Sequence, residues 1–362
     1  MRLAYVSLHW PRTRNSGVGK KIQSQVAAWN EMGHEARLFM HSAHHEPATD
    51  LIEAECFFYP TSGKLATEFH RILAVRRMLS AIRDFAPDLI YLRYGIYVYP
   101  VHQLMQIAPV VEEINTNDLT QHEGLGRLYS LYNSITRGIL LRSVHGLLPV
   151  SDELAESSAF AAYRKPVCVI ANGVDLSKFP PLPPAKNLVP HLVFIGSPGY
   201  TWHGVDKIVD LARQIPDVNI DVVGYDRLPD LEPLPENIKL HGYLGVDQYQ
   251  KVLAAADAAI SSLALHRVEL DEASPLKSRE CLAFGLPMII AYKDTDLEDS
   301  GGDFLLRIPN NEDNIKTHAD AIRKFAYKMQ GKRVERNFIQ ALDQHNKEDK
   351  RLRFFESLLK SY

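Results

Sequence analysis

The sequence predicts an α/β protein made of two doubly wound, parallel-sheet domains, and three observations predict it. Short apolar runs of β type alternate with helical stretches along the chain. The alternation stops at the proline-dense segment PPLPPAKNLVP, residues 180–190, and then restarts. A length of 362 residues is enough for two cores of ordinary size.

LAYVSL, residues 3–8, has the pattern of a buried strand. A polar loop follows, then a helix containing IQSQVAAWNEMGH, then the strand EARLFM, so the chain opens as βαβ. In the loop RNSGVGKK, Gly17 and Gly19 allow backbone to approach a phosphate or sugar at a helix start. It is not a P-loop, because Arg14 and Lys21 stand where that motif needs Gly and Ser or Thr. His41, His44 and His45 follow the second strand and, without patterned Cys or carboxylates, read as a solvated loop and not a metal site. In FHRILAVRRMLSAIRDF, Arg71, Arg76, Arg77 and Arg83 interleave with apolar residues at helical spacing. The segment reads as an amphipathic outer helix and leaves contact with an anionic membrane surface open.

PDLIYLRY and APVVEEIN are two further strands. Ligands gather at the carboxyl ends of strands in open α/β sheets, which makes Arg93, Glu113, Asn115, Asn117 and Asp118 cleft candidates. GILLRSVHGLLPVSDELAE supplies a helix and the strand GLLPV, with Ser151 capping the next helix. Asn172, Gly173 and Asp175 read as a structural turn.

After the linker, LVFIG is a strand, SPGYTWHG a loop, VDKIVDLARQI a helix and NIDVVG the next strand. Gly196 and Gly199 sit where backbone turns sharply or approaches a ligand. NIKLHGYL is a strand with a glycine turn, and DQYQKVLAAADAAISSL a helix and strand. DEASPLKSRECLAFGLP then reads as a loop and helix, with Ser274 as N-cap, Pro275 at the first helical position and Gly285 as the stop.

Lys277 and Arg279 lie in the first turn and a half of this helix, where the macrodipole disfavours cations by roughly 0.3–1 kcal/mol. An anion reverses that sign, so the segment is a ready phosphate site flanked by Glu272 and Glu280. Asp294-Thr295-Asp296, downstream of the strand MIIAY, has the form of a metal-holding triplet but reads here as polar residues of a loop. From Asn311 onward the chain reads as polar helices.

Hydrophobic residues at 46%, charged residues at 23% and a net charge of −3 describe a globular protein and give no support to a nucleic-acid binder. Cys56, Cys168 and Cys281 are odd in number and far apart, which fits a reducing compartment and excludes a disulfide framework. No apolar run approaches the ~20 residues of a membrane span or forms a signal-peptide core, so a cytoplasmic protein is expected.

Glu272 and Glu280, separated by seven residues and followed by LAFGLPMI, resemble the Glu-seven-residues-Glu motif of the retaining glycosyltransferases of family 4. SGVGKKIQSQVAAWNEMGHEARLF resembles that family's glycine loop, helix and second strand, and CVIANGVDLSKFPP the stretch that closes its first domain. The resemblance implies a GT-B fold of two facing Rossmann-like domains. Residues 1–182 with a C-terminal helix, 345–362, would form the acceptor side and residues 183–344 the nucleotide-sugar side. It implies transfer of a sugar from a nucleoside diphosphate-sugar to a saccharide or lipid-linked acceptor hydroxyl, with retention of configuration. The pathways implied are glycan, polysaccharide or glycolipid biosynthesis, in the cytoplasm or at the inner membrane face, with no metal or other cofactor.

By the same resemblance, Lys277 with Arg279 or His203 holds the diphosphate, and backbone from Ser274 through Pro275 to Leu276 completes the cradle. Glu280 takes ribose hydroxyls, Glu272 takes donor-sugar hydroxyls, and Gly17, Gly19 and Gly196 lie near the donor. Two departures stand out. Ser197 and His203 occupy the place of a basic pair, and Asn115, with His122 further along, occupies that of a histidine. Asn can hydrogen-bond a hydroxyl but cannot take a proton. The departures motivate another reading, a catalytically silent nucleotide- or sugar-binding subunit; a sugar-nucleotide epimerase of the same fold is a further one and would need acid–base residues in the cleft that the sequence does not place.

Overall fold

Two six-stranded sheets, parallel throughout, carry the chain. The computed structural model describes residues 1–11, 16–44, 53–121, 126–298 and 301–361, so Arg14, His45 and His122 lie outside the described residues. The chain divides into two compact units, Met1–Ile170 with His345–Tyr362, and Ala171–Gln344.

In the first unit the strands are β1 (Arg2–Ser7), β2 (Glu35–Ser42), β3 (Ala54–Phe58), β4 (Leu89–Arg93), β5 (Val110–Ile114) and β6 (Gly146–Pro149), in the order β3-β2-β1-β4-β5-β6. The helices are α1 (Gly17–Glu31), α2 (Lys64–Phe85), α3 (Asp118–Gln121), α4 (Arg127–Ser143), α5 (Asp152–Glu156) and α6 (Ser158–Ala161). The C-terminal helix α11 (Gln344–Lys360) packs here through Phe355, whose ring lies 5.8 Å from that of Trp29 and 5.5 Å from that of Tyr91. These aromatic contacts, edge-on with Trp29 and tilted with Tyr91, anchor a helix that is otherwise strongly polar.

The second unit repeats the plan with β7 (His191–Ile195), β8 (Asn219–Val223), β9 (Ile238–Leu240), β10 (Ala258–Ile260), β11 (Met288–Ile290) and β12 (Leu305–Arg307), in the order β12-β11-β10-β7-β8-β9. Its helices are α7 (Val205–Gln214), α8 (Val246–Ala255), α9 (Leu276–Ala283) and α10 (Asn314–Met329). Counted from its own first strand, each sheet has the order 3-2-1-4-5-6 of a Rossmann-like domain. The strand order reverses between β1 and β4 in one unit and between β7 and β10 in the other. Those switch points are where open α/β sheets take ligands.

Residues 171–182, read from sequence as the end of the first domain, pack in the second unit. Val174 and Leu176 are buried in its core, and the Val174 and Leu182 amides donate to the carbonyls of Leu342 and Phe284, both at 2.9 Å. His41 is not part of a solvated loop. It ends β2 inside the unit, its ring nitrogens 3.0 and 3.2 Å from the carbonyls of Leu8 and Arg71, and burial lowers its pKa to about 4.

Candidate functional site

The switch point of the second unit holds most of the residues singled out from sequence. The chain leaves β7 through Gly196, where a Cβ would lie 2.4 Å from the Tyr225 ring and 2.8 Å from the Phe194 ring. Only glycine lets the backbone pass this close. Tyr225 in turn donates its hydroxyl to the Ser197 carbonyl at 2.8 Å, fixing the turn that carries Ser197. Gly196→Ala should therefore cost about 1–3 kcal/mol through overpacking, measured as a lower urea midpoint at unchanged slope.

Ser197 is the meeting point of two further groups. Its amide donates to His203 Nδ1 at 3.1 Å, and its hydroxyl accepts from Lys277 Nζ at 3.1 Å. Burial and then the neighbouring Lys277 ammonium lower the His203 pKa to about 4, so the ring is neutral at pH 7. With Nδ1 accepting, the neutral ring carries its proton on Nε2 and offers it as a donor. Burial lowers Lys277 to about 8. Among the described residues no carboxylate lies within ion-pairing distance of its Nζ. Ile195, His203, Ser261, Ser262, Pro275 and Lys277 line a small pocket.

Lys277 projects from the first turn of α9, whose opening amides have no acceptor within the helix. Gly285, at φ +86°, terminates this helix as expected, and the Leu286 amide closes back on the Cys281 carbonyl at 3.0 Å. The N-terminus differs from expectation. Pro275, not Ser274, is the N-cap, and Leu276 is the first helical residue. Ser274 is engaged elsewhere, its hydroxyl accepting the Asn172 amide at 3.0 Å and its carbonyl accepting the Asn172 side chain at 2.8 Å. It holds the cradle in place and does not cap it.

Arg279 requires a larger correction. Its side chain is fully buried and points away from the phosphate side of α9. Nη1 and Nη2 donate to the two Asp294 oxygens at 2.7 and 2.8 Å, Nη2 also to Asp296 at 2.9 Å, and Nε to the Asn172 carbonyl at 2.9 Å. A bidentate pair at full burial leaves no donor for a diphosphate. Asp294 and Asp296 are committed to this arginine, and between them Thr295 donates its hydroxyl to Glu272. The triplet thus positions the motif, one residue orienting Glu272 and two holding α9. Glu272 is buried beside this loop and Glu280 is half-buried on the Tyr249 side of α9.

In the first unit, Gly17 and Gly19 lie within the first turn of α1 and not in the loop before it. A Cβ at Gly19 would make ordinary contacts with Pro11 and Trp10, so glycine is not sterically required there. At the carboxyl end of β5, Glu113 is buried between Lys21 Nζ at 2.7 Å and Arg93 Nη1 at 2.8 Å. Asn115 Oδ1 accepts from the same Lys21 at 3.0 Å, while its buried Nδ2 has no partner among the described residues. Asp118 is structural, pairing with Arg137 Nε and Nη2, both at 2.9 Å, and with Asn133 at 2.6 Å to fasten α3 to α4.

Two Rossmann-like domains of this order, the second with a cationic switch-point pocket, define a GT-B protein. Residues 15–178 match the model of Glycosyltransferase Family 4. Among solved structures it is similar to sucrose-phosphate synthase from Thermosynechococcus elongatus, at 14% identity over 100% of both chains and a TM-score of 0.73. The lipopolysaccharide outer core galactosyltransferase WaaB gives 10%, 99% of each chain and 0.67. A UDP-GlcNAc 2-epimerase from Neisseria meningitidis gives 13%, 99% of this chain, 100% of that one and 0.55. At these identities the likeness is one of fold. No curated protein sequence matches the chain.

Proposed function

We propose that the protein transfers a sugar from a nucleoside diphosphate-sugar to an acceptor hydroxyl with retention of anomeric configuration. The family match and the fold support glycosyl transfer as the activity. The observation that carries the donor class is Lys277, a desolvated cation whose hydrogen-bond partner among the described residues is a neutral hydroxyl, at the start of a helix and at a switch point. A cation taken out of water without an anion is costly, and a bound diphosphate would supply the missing charge.

Departure of the diphosphate is the demanding step. Lys277, the Nε2–H of neutral His203 and the amides of Leu276 and Lys277 would stabilise that charge by preorganised electrostatics. This set replaces the basic pair absent at Ser197 and His203, and it needs no metal ion. Glu280 would take ribose hydroxyls. Glu272, aimed by Thr295, would stabilise positive charge developing on the sugar. Asn115 would hydrogen-bond a sugar hydroxyl through its unpartnered Nδ2. The acceptor in this reading is a saccharide or a lipid-linked saccharide, and the enzyme works in the cytoplasm, a lipid-linked acceptor bringing it to the inner face of the membrane.

The test is to incubate the protein with UDP-, GDP- and ADP-sugars and a saccharide acceptor panel, following nucleotide release and product anomer by NMR. Release of one nucleotide with retained configuration is expected. Sugar interconversion without transfer would assign an epimerase, and binding without turnover a silent subunit. Glu272→Gln should lower turnover by about 10²-fold while leaving nucleoside diphosphate affinity intact. A parallel fall in that affinity would move Glu272 from the sugar to the nucleotide.

A further inference from the structure

The polarity of α4 is inverted. In its middle the inward face carries Asn133 and Arg137, both held by Asp118, beside Thr136, with Leu140 and Leu141 buried further on, whereas its outward face carries a row of large apolar side chains. Leu128 is 85% exposed, Leu131 57% and Ile135 68%, with Tyr132 and Ile139 exposed on the same side. Spacings of three and four residues make these one continuous ridge. A ridge of this kind on a chain of ordinary composition calls for something to cover it.

A second ridge lies beside it. On α2, Leu65 is 89% exposed and Phe69 60%, with Leu73 one turn further on. α2 and α4 both pack on the short helical turn Val101–Gln106, and Glu68 and Arg71 of α2 act electrostatically on the phenols of Tyr129 and Tyr132 of α4, which burial raises.

The charge on this face identifies its occupant. α4 contains no acidic residue, and exposed Arg127 and Arg142 stand at its two ends. α2 adds exposed Lys64, Arg76, Arg77 and Arg83 against Glu68 and Asp84, in a chain whose net charge is −3. At the C-terminal end of the α4 ridge, Arg142 and Lys165 line a pocket with Ser158 and Tyr163. Apolar ridges rimmed by Lys and Arg match the headgroup boundary of an anionic bilayer, in which aliphatic side chains enter the acyl layer and cations meet phosphates.

We propose that the α2–α4 face of the first unit docks on an anionic lipid bilayer, Leu128, Leu131, Ile135, Leu65 and Phe69 entering the interface and Arg142 and Lys165 holding lipid phosphate. The inference rests on the membrane placement given under the proposed function, and it names the surface responsible, which is centred on α4 and not on α2 alone. Interfacial burial of these ridges orients the first unit against the surface on which a lipid-linked acceptor would be presented.

The experiment is cosedimentation of the full chain with vesicles of phosphatidylcholine, pure or mixed equally with phosphatidylglycerol. Binding to the mixed vesicles, weakened by salt and unaffected by inorganic phosphate, is expected. Leu131→Glu with Ile135→Glu should lower it at least about tenfold, and Arg142→Glu should weaken it and reduce its salt dependence. Both positions of the double variant are on the surface, so its melting temperature and its shift on adding nucleoside diphosphate should match the wild type. Absence of binding, equal binding by the double variant, or a concentration-dependent dimer that the double variant abolishes would overturn the proposal. Competition by inorganic phosphate would overturn it in favour of a soluble anion site. Nucleotide binding reports on the second unit separately, so loss of vesicle binding with that shift intact removes the docking surface alone.

Discussion

Replacing Arg279 by alanine is expected to destabilise the second unit by about 3–5 kcal/mol, the cost of leaving buried charge without its partner. The guanidinium touches Asp294 through two hydrogen bonds, Asp296 through one and the Asn172 carbonyl through another. It therefore ties together the loops that carry Asn172, Glu272 and the 294–296 triplet. Urea unfolding would show the loss, and the combined Arg279→Met, Asp294→Asn and Asp296→Asn variant should recover much of it, because buried ion pairs often exchange for neutral groups at little cost. The pH dependence has a definite sign. Burial pushes the Asp294 carboxyl upward, and without the guanidinium that push is unopposed. A carboxyl whose folded pKa exceeds its unfolded one favours folding at low pH, so the deficit of Arg279→Ala should shrink as pH falls through the carboxylate range.

The second large effect is expected at Lys277. Alanine there should weaken nucleoside diphosphate binding by about 10–100-fold, the equivalent of one charge-assisted hydrogen bond of about 1.5–3 kcal/mol. Stability should change little or rise, since the variant removes a desolvated charge from the unliganded protein. In the free protein burial lowers this lysine to about 8, and a bound diphosphate would raise it again. Wild-type affinity should then be level below pH 8 and fall by up to about tenfold per pH unit above it. Lys277→Ala should show no such fall, and isothermal titration at several pH values separates the two cases.

Much of this was legible in the sequence. Ten of the twelve strands among the described residues stand out as apolar runs, and the glycine stop of α9 is where the pattern puts it. The two strands that do not stand out, β3 and β12, lie at an edge of their sheets. AECFF is only half-buried and interrupted by a glutamate, and LLR is three residues long, so neither has the buried signature of an inner parallel strand. Within the site, Lys277, His203 and Ser197 meet as the order of elements suggests.

Arg279 was misplaced for a reason the helix itself contains. Two residues along an α-helix are roughly 200° apart, so Lys277 and Arg279 cannot serve the same ligand, and one of them must face the core. The nearby Asp-x-Asp triplet was the signal for its partner. Ser274 gave no such signal, because what engages it is Asn172, 102 residues earlier. The exposed ridge of α4 was also hidden, since helical periodicity shows that one face is apolar but not which face turns outward.

The proposed nucleoside diphosphate site in the second unit, working through Lys277 without a metal ion, is tested most directly by a thermal-shift panel of UDP, GDP and ADP on the wild type and Lys277→Ala, with and without chelator. Stabilisation of the wild type by one of these, unchanged by chelator and lost or much reduced in the variant, is the predicted result. Stabilisation that needs a divalent ion, persists in Lys277→Ala, or fails with all of them would contradict it.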